Sequence, residues 1–288
     1  MLLAPSCATC GAILQHLRHG SICEGCWSAI RPSTPPFCDR CGDPLPSLRQ
    51  RLDRPGEEKG AGHFSRSHAP TRVPTPLPQT PYRAAVAPPA ARGSDPGAAR
   101  VCAHCATGRG AVDRALAIGS YDGALRDIIH ALKYGRRQSI APRLGRLMRD
   151  HGADVLAGAD IALPVPLHWS RRHWRGFNQA ELLAAHLGLP VGRLLRRVRR
   201  TLPQIDLPAR ERHANVDGAF ALRRRDTWHW PVWLGHRVTT TLAGLTVVLV
   251  DDVSTTGATL EACARVVKRA GASQVRVITA ARVATRPR

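Results

Sequence analysis

The sequence predicts an α/β protein whose mostly parallel sheet is flanked by helices and preceded by a small metal-binding module. Residues 247–259 run from four apolar residues, three of them β-branched, through an acid pair into a hydroxyl-glycine loop, and a helix-like segment follows. Apolar strands of this kind are buried on both faces of parallel sheets. Eight of the nine cysteines form four Cys-x-x-Cys pairs before residue 106. Such pairs are typical of small zinc-binding modules.

The length of the chain suits one domain of moderate size and a smaller module. It has 288 residues, of which 43% are hydrophobic, so a core is available. No apolar run approaches the roughly 20 residues that a membrane span needs. The segment Met1–Pro5 is too short for the apolar region of a secretory signal. We therefore expect a cytoplasmic protein without a membrane span.

The formal net charge is +21 and is carried almost entirely by arginine. One interpretation is a nucleic-acid partner, because neutralised phosphates are the main sequence-independent source of such affinity. The other is a compositional bias toward Arg, Ala, Gly and Pro that leaves arginines on the surface. Both interpretations fit the basic cluster Arg193, Arg196, Arg197, Arg199 and Arg200.

The four Cys-x-x-Cys pairs predict two structural zinc sites. Each pair places two thiolates on one turn, and two turns complete a four-thiolate shell. Gly11 and Gly42 directly follow the second cysteine of a pair, where a glycine lets the backbone curl around the ion. Disulfides are disfavoured without a signal peptide. We expect sequential pairing, with interleaved pairing left open, and the predicted ligands are Cys7, Cys10, Cys23, Cys26, Cys38, Cys41, Cys102 and Cys105.

A long segment separates the third pair from the fourth. Residues 48–100 are rich in Pro, Arg, Ala and Ser without an apolar period, which predicts a disordered insertion. A loop about five times longer costs only about 1.4 kcal/mol more to close, whereas structural zinc contributes about 10–16 kcal/mol. The second zinc site should therefore survive. The predicted organisation is a double zinc ribbon in 1–47 and 101–110, the insertion in 48–100, and an α/β domain in 111–288.

The other elements are predicted from apolar periodicity. Leu125, Ile128, Ile129 and Leu132 recur at helical spacing and predict a helix that ends near Gly135. The remaining predicted elements are a strand over 115–120, a helix over about 140–151, a strand over 161–165 and a helix that ends at about residue 186.

The stretch Val247–Thr259 is the clearest indication of function. Asp251 and Asp252 come where the strand should reach its carboxyl edge, and ligands of α/β sheets bind in the crevice beyond that edge. The loop that leads into the next helix offers backbone N–H groups to a phosphate. Carboxylates accept hydrogen bonds from ribose hydroxyls and hold Mg²⁺ through water. The ligand that this combination indicates is a phosphorylated ribose.

This stretch resembles the 13-residue signature of type I phosphoribosyltransferases, whose substrate is phosphoribosyl pyrophosphate (PRPP). With the N-terminal double zinc ribbon, a wider set of motifs resembles the ComF (competence protein F) family. These motifs are Tyr121-Asp122-Gly123, Leu132-Lys133-Tyr134-Gly135, Pro164-Val165-Pro166-Leu167, Arg175-Gly176-Phe177-Asn178-Gln179-Ala180, Pro203-Gln204, and Asn215 with Gly218-Ala219-Phe220. The chain departs from the family pattern at the insertion and at the segment with Trp228, Trp230 and Trp233.

The resemblance implies a Mg²⁺-dependent reaction in which a nucleophile displaces pyrophosphate from C1 of PRPP. Asp251 and Asp252 would bind the ribose hydroxyls and, through water, Mg²⁺, and either could act as a general base. The 5′-phosphate would rest on Ser254, Thr255, Thr256, Gly257, Ala258 and Thr259. The pyrophosphate would lie against the loop after the strand at 161–165, whose candidate residues are Val165, Pro166, Arg171, Arg175, Asn178 and Gln179, together with Lys133.

Alternatives remain for several of these residues. The arginines could lie on a solvated face, and Lys133 could interact only with the end of its helix. Tyr134 and Phe177 are expected to pack rather than to stack on a ligand, and Cys263 is expected to be a buried apolar residue.

Two hypotheses follow for the whole protein. The first is a phosphoribosyltransferase that acts on PRPP or another ribose phosphate and whose acceptor the sequence does not indicate. The second is a non-catalytic zinc-ribbon protein that binds nucleic acid and only senses PRPP. The family's association with DNA uptake in natural competence implies single-stranded DNA and proteins of the competence machinery as partners.

Overall fold

The computed structural model describes residues 5–14, 20–33, 36–45, 100–108, 110–199, 215–223 and 242–283. Within these residues the predicted α/β class is confirmed, and the described segments on both sides of the predicted insertion belong to one compact unit. The predicted insertion, except Arg100, lies outside the described residues. So do Pro203-Gln204, Arg200 and the three tryptophans at 228, 230 and 233.

The centre of the molecule is a parallel sheet. Its four strands are β1 (Arg114–Ser120), β2 (Ile161–Pro164), β5 (Thr246–Ser254) and β6 (Gln274–Arg282), in the order β1-β6-β5-β2. Two short strands, β3 (Leu195–Arg197) and β4 (Phe220–Leu222), form an antiparallel pair beside it. β5 continues four residues beyond the predicted apolar run, so the acid pair lies inside the strand and not after it.

Apolar side chains on both faces explain why β5 lies in the interior of the sheet. Val248 and Val250 join one hydrophobic cluster, and Val247 and Leu249 join the other. All four are fully buried. This two-sided burial is the reason that a continuous apolar run predicts a parallel strand.

Helices cover both faces of the sheet. The zinc-binding segments contain α1 (Glu24–Ser28) and α2 (Ala103–Thr107). One face of the sheet is covered by α3 (Gly123–Lys133), a 3₁₀ turn at Gln138–Ile140, α4 (Ala141–His151), α5 (Ala153–Leu156) and α7 (Gln179–Ala184). The other face is covered by α8 (Ala258–Arg269) and the β3–β4 pair. Between β2 and α7 lies α6 (Trp169–Arg175), which the sequence analysis did not predict.

The first zinc-binding segment closes one edge of the sheet. Ser33 N–H donates to the Ile118 carbonyl at 2.8 Å, and Pro32 forms a bridge with Gly119 of β1. Trp27 is buried in the same cluster as the apolar face of α3. Covering an edge strand in this way removes a site of unwanted strand pairing.

None of the described helices is long and apolar enough to cross a bilayer.

Candidate ribose-phosphate site and zinc centres

Two four-cysteine clusters lie in the N-terminal part of the chain. In each cluster the four sulfur atoms lie within 4.8 Å of one another. A tetrahedral zinc ion with Zn–S bonds of about 2.3 Å places its sulfurs about 3.8 Å apart. The observed distances are 3.6 Å for Cys10–Cys23 and 3.7 Å for Cys41–Cys102. The donor set therefore fits two structural zinc ions, and the predicted sequential pairing is confirmed: one cluster is Cys7, Cys10, Cys23 and Cys26, and the other is Cys38, Cys41, Cys102 and Cys105.

The two clusters repeat one backbone pattern. Gly11 and Gly42 both have left-handed φ angles, of 75° and 74°, and each N–H donates to the carbonyl of the first ligand, Cys7 or Cys38. In both clusters the N–H of the third ligand donates to the sulfur of the first, at 3.2 and 3.3 Å. Only glycine adopts this φ at little cost, which explains its position directly after the second cysteine.

The charges of the thiols also favour a cation in the first cluster. Burial acts to raise the pKa of Cys7, but hydrogen bonds from backbone N–H groups and Thr9 outweigh it and lower the pKa to about 5. Burial and the neighbouring thiols raise the pKa of Cys26 to about 12. Four thiolates cannot coexist in so small a volume unless a cation neutralises them, and zinc supplies that charge.

The acid pair lies at the carboxyl-terminal end of β5, and its two members have different surroundings. Asp252 is 4% exposed, and its Oδ2 lies 3.0 Å from Nζ of Lys133, the last residue of α3. Lys133 therefore reaches into the crevice and does not remain at the helix surface. Asp251 is half-buried, and its Oδ1 accepts the Asp252 N–H at 2.9 Å.

These surroundings shift the pKa values of Asp251 and Lys133. Burial and the charge of Asp252 raise the pKa of Asp251 to about 8. Burial acts to lower the pKa of Lys133, but the charge of Asp252 overcomes it and the pKa is raised. Burial and the nearby Asp251 raise the pKa of the Cys263 thiol, whereas Arg197 acts to lower it. Within the described ranges Asp252 is the member of the pair that forms an ion pair, and Asp251 lies on the side of the sheet where α8 and β3 pack.

The loop after β5 presents backbone N–H groups at the start of α8. Gly257 precedes the helix with a φ of 76°, and a Cβ at this position would meet no atom within 4 Å. The first N–H groups of an α-helix have no partner within the helix, and Gly257 has no side chain with which to cap them. The Thr256 hydroxyl is buried, and no described residue accepts or donates a hydrogen bond to it.

The other predicted residues of this loop surround those donors. Ser254 and Ala258 are buried, whereas Thr255 and Thr259 are half-buried. The Ser254 carbonyl accepts the Val283 N–H at 2.9 Å, which fixes the start of the loop on the end of β6. The loop is therefore anchored at its start, and its middle residues Thr255, Thr256 and Gly257 are half-buried.

The loop after β2 is held by one asparagine. Asn178 Nδ2 donates to the Val165 carbonyl at 3.0 Å, and its Oδ1 accepts the Ala180 N–H at 3.2 Å as the N-cap of α7. Asn178 therefore orients the loop through the backbone. Pro166 is half-buried within the same loop.

Two further side chains of this region are buried with unsatisfied polar atoms. Arg175 is 8% exposed, and its guanidinium carbon lies 5.1 Å from the centre of the Tyr134 ring. Its Nε and the Oε1 atom of Gln179 have no hydrogen-bond partner in the described part of the chain. Arg171 lies in α6, and its side chain is outside the described residues.

The two loops open at the same edge of the sheet. β2 and β5 are neighbours in parallel register, with Pro164 opposite Val250, so their carboxyl ends point the same way. The acid pair, Lys133 and the two loops therefore meet at one edge of the sheet. This is the position at which open α/β sheets bind ligands.

One residue of this edge was missed by the sequence analysis. Arg282, at the end of β6, forms an ion pair with Asp43 and donates to the Cys41 carbonyl at 2.8 Å. Its Nη1 lies 3.5 Å from Ser254 Oγ. The second zinc cluster is thereby tied to the residue that begins the phosphate-loop candidate. No local pattern marks Arg282 among the many arginines of the chain.

The connection between the second zinc cluster and β1 is also fixed by side chains. Arg40 donates to the carbonyls of Cys105, Gly108 and Gly110, the last at 2.7 Å. Glu261, in the first turn of α8, accepts the Ala111 N–H at 2.6 Å. The start of the loop that follows β5 is therefore linked to the second zinc-binding segment through Arg282. The helix at its end contacts the segment that joins this zinc cluster to β1.

Comparison with known proteins gives matches to both parts of the chain. A double zinc ribbon domain family matches residues 1–57, and a phosphoribosyl transferase domain family matches residues 175–288. The first match ends before Cys102 and Cys105, which lie beyond the predicted insertion.

The alignments with named relatives cover most of the length of each relative. "DNA utilization protein YhgH" of Salmonella typhi is 36% identical over 187 residues, which are 61% of this chain and 75% of that protein. The protein of the same name in Escherichia coli K12 is 35% identical over 191 residues, with the same coverage. "Competence protein F" of Haemophilus influenzae is 29% identical over 189 residues, 62% of this chain and 77% of that protein.

A solved purine phosphoribosyltransferase from Pyrococcus horikoshii aligns with 49% of this chain and 80% of its own, at 16% identity and a TM-score of 0.27. This similarity is too low to support an argument about the site.

Proposed function

The chain belongs to the ComF family, and from that premise we propose that its crevice binds PRPP with Mg²⁺ and transfers the phosphoribosyl group. One observation carries this proposal. Three buried polar atoms without partners among the described residues, Thr256 Oγ1, Arg175 Nε and Gln179 Oε1, lie in or next to the two loops at one sheet edge. Buried polar groups without partners are costly, so a polar ligand that satisfies them gains affinity.

The phosphate would bind at the start of α8. Backbone N–H groups of the loop and the Thr256 hydroxyl donate to the 5′-phosphate, and the helix dipole adds a favourable field. The predicted contacts are Ser254, Thr255, Thr256, Gly257, Ala258 and Thr259. Arg175, with Gln179 in the neighbouring loop, would bind the leaving pyrophosphate, because a guanidinium matches phosphate oxygens with two parallel hydrogen bonds.

The two acids would have separate roles. Lys133 neutralises Asp252, which leaves Asp252 to accept a ribose hydroxyl in a fixed orientation. Asp251 forms no ion pair with a described residue, so a bound cation or the proton of the acceptor would neutralise its charge. Its pKa of about 8 lies near neutral pH, which suits a group that takes a proton from the attacking nucleophile.

The acid pair also fits Mg²⁺, which binds carboxylates directly or through water. When bound, the ion would neutralise the charge that develops on the pyrophosphate. In the reaction the acceptor forms a bond to C1 of the ribose, the bond from C1 to the pyrophosphate oxygen breaks, and the proton of the acceptor passes to a base. The protein's own contribution is to orient the sugar and to stabilise charge in a crevice with little water.

Calorimetry with PRPP and Mg²⁺ tests the binding step, and release of pyrophosphate with a panel of nucleobases and amines tests the transfer. We expect Asp251→Asn/Asp252→Asn to lower affinity at least tenfold and to abolish release. Asp150→Asn removes an exposed acid at the end of α4 and is the matched control. Equal binding and release by the double variant and the wild type would refute the assignment.

The names of the relatives add a biological role to the proposal. They refer to DNA utilization and to competence, and we propose that this chain acts in the cytoplasm in DNA uptake. In Haemophilus influenzae that lacks Competence protein F, expression of this chain should restore transformation, and the Asp251→Asn/Asp252→Asn variant should not. Equal restoration by both would favour the alternative hypothesis, in which zinc ribbons bind nucleic acid and PRPP is not turned over.

Residues 111–288 would carry out both the binding of PRPP and the transfer of the phosphoribosyl group. The zinc ribbon in 1–47 and 101–110 would hold the edge of the crevice, and no role is assigned to residues 48–100.

A further inference from the structure

A cluster of aromatic rings lies at the protein surface where the end of α3 meets α6. Tyr134 is 49% exposed and Trp174 is 57% exposed, with their ring centres 6.3 Å apart. The His130 ring centre lies 4.4 Å from that of Tyr134. We name these residues, with the exposed Arg136 and the buried Arg175, the α3–α6 aromatic surface. Tyr134 is expected to pack, and its ring does contact His130 and Arg175, but about half of its surface stays exposed.

The exposure of these rings lowers the stability of the fold, and their packing within the protein does not account for it. Only six large apolar side chains in the described part of the chain are exposed, and two of them belong to this surface. Rings left in water forgo the hydrophobic stabilisation of burial, about 25 cal/mol per Å². Adjacent exposed rings are a typical mark of a recognition surface.

Arginine side chains alternate with the rings. The Arg136 guanidinium carbon lies 6.0 Å from the centre of the Trp174 ring, and its Nη2 donates to the Trp174 carbonyl at 2.5 Å. Arg175 lies 5.1 Å from the Tyr134 ring centre. The segments 130–137 and 171–177, which supply this surface, contain several arginines and no acidic residue. The surface is therefore aromatic and strongly positive.

We propose that the α3–α6 aromatic surface binds a single-stranded nucleic acid, with Tyr134 and Trp174 stacking on unpaired bases and Arg136 binding phosphate. Stacking needs free base faces, which a duplex does not present. The surface contains none of the eight cysteine ligands, so it differs from the zinc-ribbon contact considered above. Because Tyr134 follows Lys133, the strand would pass beside the crevice, but the proposal does not require PRPP to bind there.

A membrane surface also attracts tryptophan and arginine, but the geometry favours nucleic acid. The rings of Tyr134 and Trp174 are tilted by 57° to each other, so they do not form one flat face. α6 has only seven residues, whereas amphipathic helices that lie on membranes present a long apolar face.

The stacking part is tested with the full-length zinc-loaded protein and a fluorescent 12-nucleotide oligo(dT). Tyr134→Ala/Trp174→Ala removes two stacking rings and should weaken binding at least about thirtyfold without changing its salt dependence. An abasic oligomer of the same length keeps the phosphates and removes the bases, so the wild type should prefer oligo(dT) and the double variant should not. Ile13→Ala removes an exposed apolar side chain on a zinc turn and should leave both affinities unchanged.

The phosphate part is tested by the salt dependence of the same binding. Arg136→Gln should reduce the slope of log affinity against log salt by about 0.7, the value for one phosphate contact on a single strand. Arg149→Gln, at the end of α4, is the matched control and should leave the slope unchanged. Trp174→Phe keeps an aromatic ring and should retain most of the preference for bases, which separates stacking from a loss of folding.

Two results would overturn the proposal. One is an undiminished preference for oligo(dT) over the abasic oligomer in the Tyr134→Ala/Trp174→Ala variant, with two zinc ions per chain. The other is tighter binding of the wild type to vesicles with anionic lipids than to oligo(dT), if the same double variant abolishes it. The second result would assign this surface to a membrane.

Discussion

At the scale of single residues, the two adjacent acids are not equivalent. Alternation along β5 places them on opposite faces of the sheet, so one meets α3 and the other meets α8. Lys133 forms a buried ion pair with Asp252, and its pKa is raised by that charge against the effect of burial. Asp251 holds its proton to a higher pH, because burial and the charge of Asp252 both oppose ionisation. Sequence reasoning had assigned the same roles to both.

The raised pKa of Asp251 should appear in the pH dependence of stability. Between the ordinary carboxyl pKa of 3.8 and the folded value of about 8, the folded state holds a proton that the unfolded state has lost. Stability then falls as pH rises, by up to about 1.4 kcal/mol per pH unit for one group. We expect Asp251→Asn to remove this contribution, which urea unfolding at pH 6, 7 and 8 with zinc present measures.

Asp150→Asn serves as the control for this prediction, because it changes an exposed acid and should keep the slope of the wild type. An Asp251→Asn slope equal to that of the wild type would mean that Asp251 ionises normally in the folded protein.

Removal of one partner of the Lys133–Asp252 pair should be more costly than removal of both. The side chains are 13% and 5% exposed, so Lys133→Met leaves a buried carboxylate without its counter-charge. We expect a loss of about 3–5 kcal/mol in the free energy of unfolding, measured by urea unfolding without ligand. Lys133→Met/Asp252→Leu should recover much of that loss. A double variant less stable than Lys133→Met would show that the unpaired Asp252 carboxylate is not the cause of the loss.

At the scale of elements, the loop after β5 is fixed by its neighbours. Ser254 is held on the end of β6 through its carbonyl, and Arg282 connects this position with the second zinc cluster. Glu261 ties the first turn of α8 to the segment that leads into β1. The conformation of the loop therefore depends on side chains outside the PRPP-like stretch.

Arg282 should accordingly act as a positioning residue for the proposed phosphate site. Arg282→Leu removes the ion pair with Asp43 and the hydrogen bond to the Cys41 carbonyl, each worth about 1 kcal/mol. We expect PRPP with Mg²⁺ to bind about three- to tenfold more weakly, with two zinc ions still bound per chain. Calorimetry and metal analysis measure the two quantities on the same sample.

The matched control is Arg143→Leu, which breaks an ion pair between α4 and Glu24 of the first zinc-binding segment. It should leave PRPP affinity unchanged. If both variants weaken binding equally, the effect is general destabilisation and Arg282 has no special role.

Elements and sites were predictable from the sequence where a local pattern determines them. The apolar run of β5, the spacing of Leu125, Ile128 and Leu132 in α3, and the Cys-x-x-Cys pairs each depend on neighbours a few residues away. α6 could not be predicted, because Trp-Ser-Arg-Arg-His-Trp-Arg has no apolar period and two exposed tryptophans.

Contacts between distant residues were not predictable in the same way. Lys133 and Asp252 are far apart in the chain, and only the packing of α3 against the sheet brings them together. Arg282 and Arg197 resemble every other arginine of a strongly basic chain until the fold shows what they contact. A single sequence contains no pairing information of this kind, because a charge pattern alone does not determine its partner.

At the scale of the whole molecule, the zinc-binding segments are part of the main fold. Trp27 and Ile30 are buried in the same cluster as α3 and α4, and Arg40 holds the connection to β1 through several backbone carbonyls. Zinc should therefore stabilise the α/β domain as well as the turns that bind it. The segments that zinc orders contribute side chains to the core of that domain.

The length of the predicted insertion should matter little to this arrangement. In the first zinc cluster 12 residues join Cys10 to Cys23, whereas 60 residues join Cys41 to Cys102. The described turns at the two clusters have the same backbone hydrogen bonds, so a connection of 12 residues should close the second as it closes the first. Shortening the longer connection to 12 residues reduces the entropy lost on closure, which favours the folded state by up to about 1.4 kcal/mol.

We therefore expect the shortened chain to bind two zinc ions and to unfold at an equal or higher urea concentration than the full chain. Metal analysis and urea unfolding measure these two properties. Cys102→Ser/Cys105→Ser in the shortened chain should leave one zinc ion, which verifies that the second cluster is the one counted. Loss of the second zinc ion on shortening alone would mean that residues of the insertion are needed to form that site, because chain closure by itself favours the shorter connection.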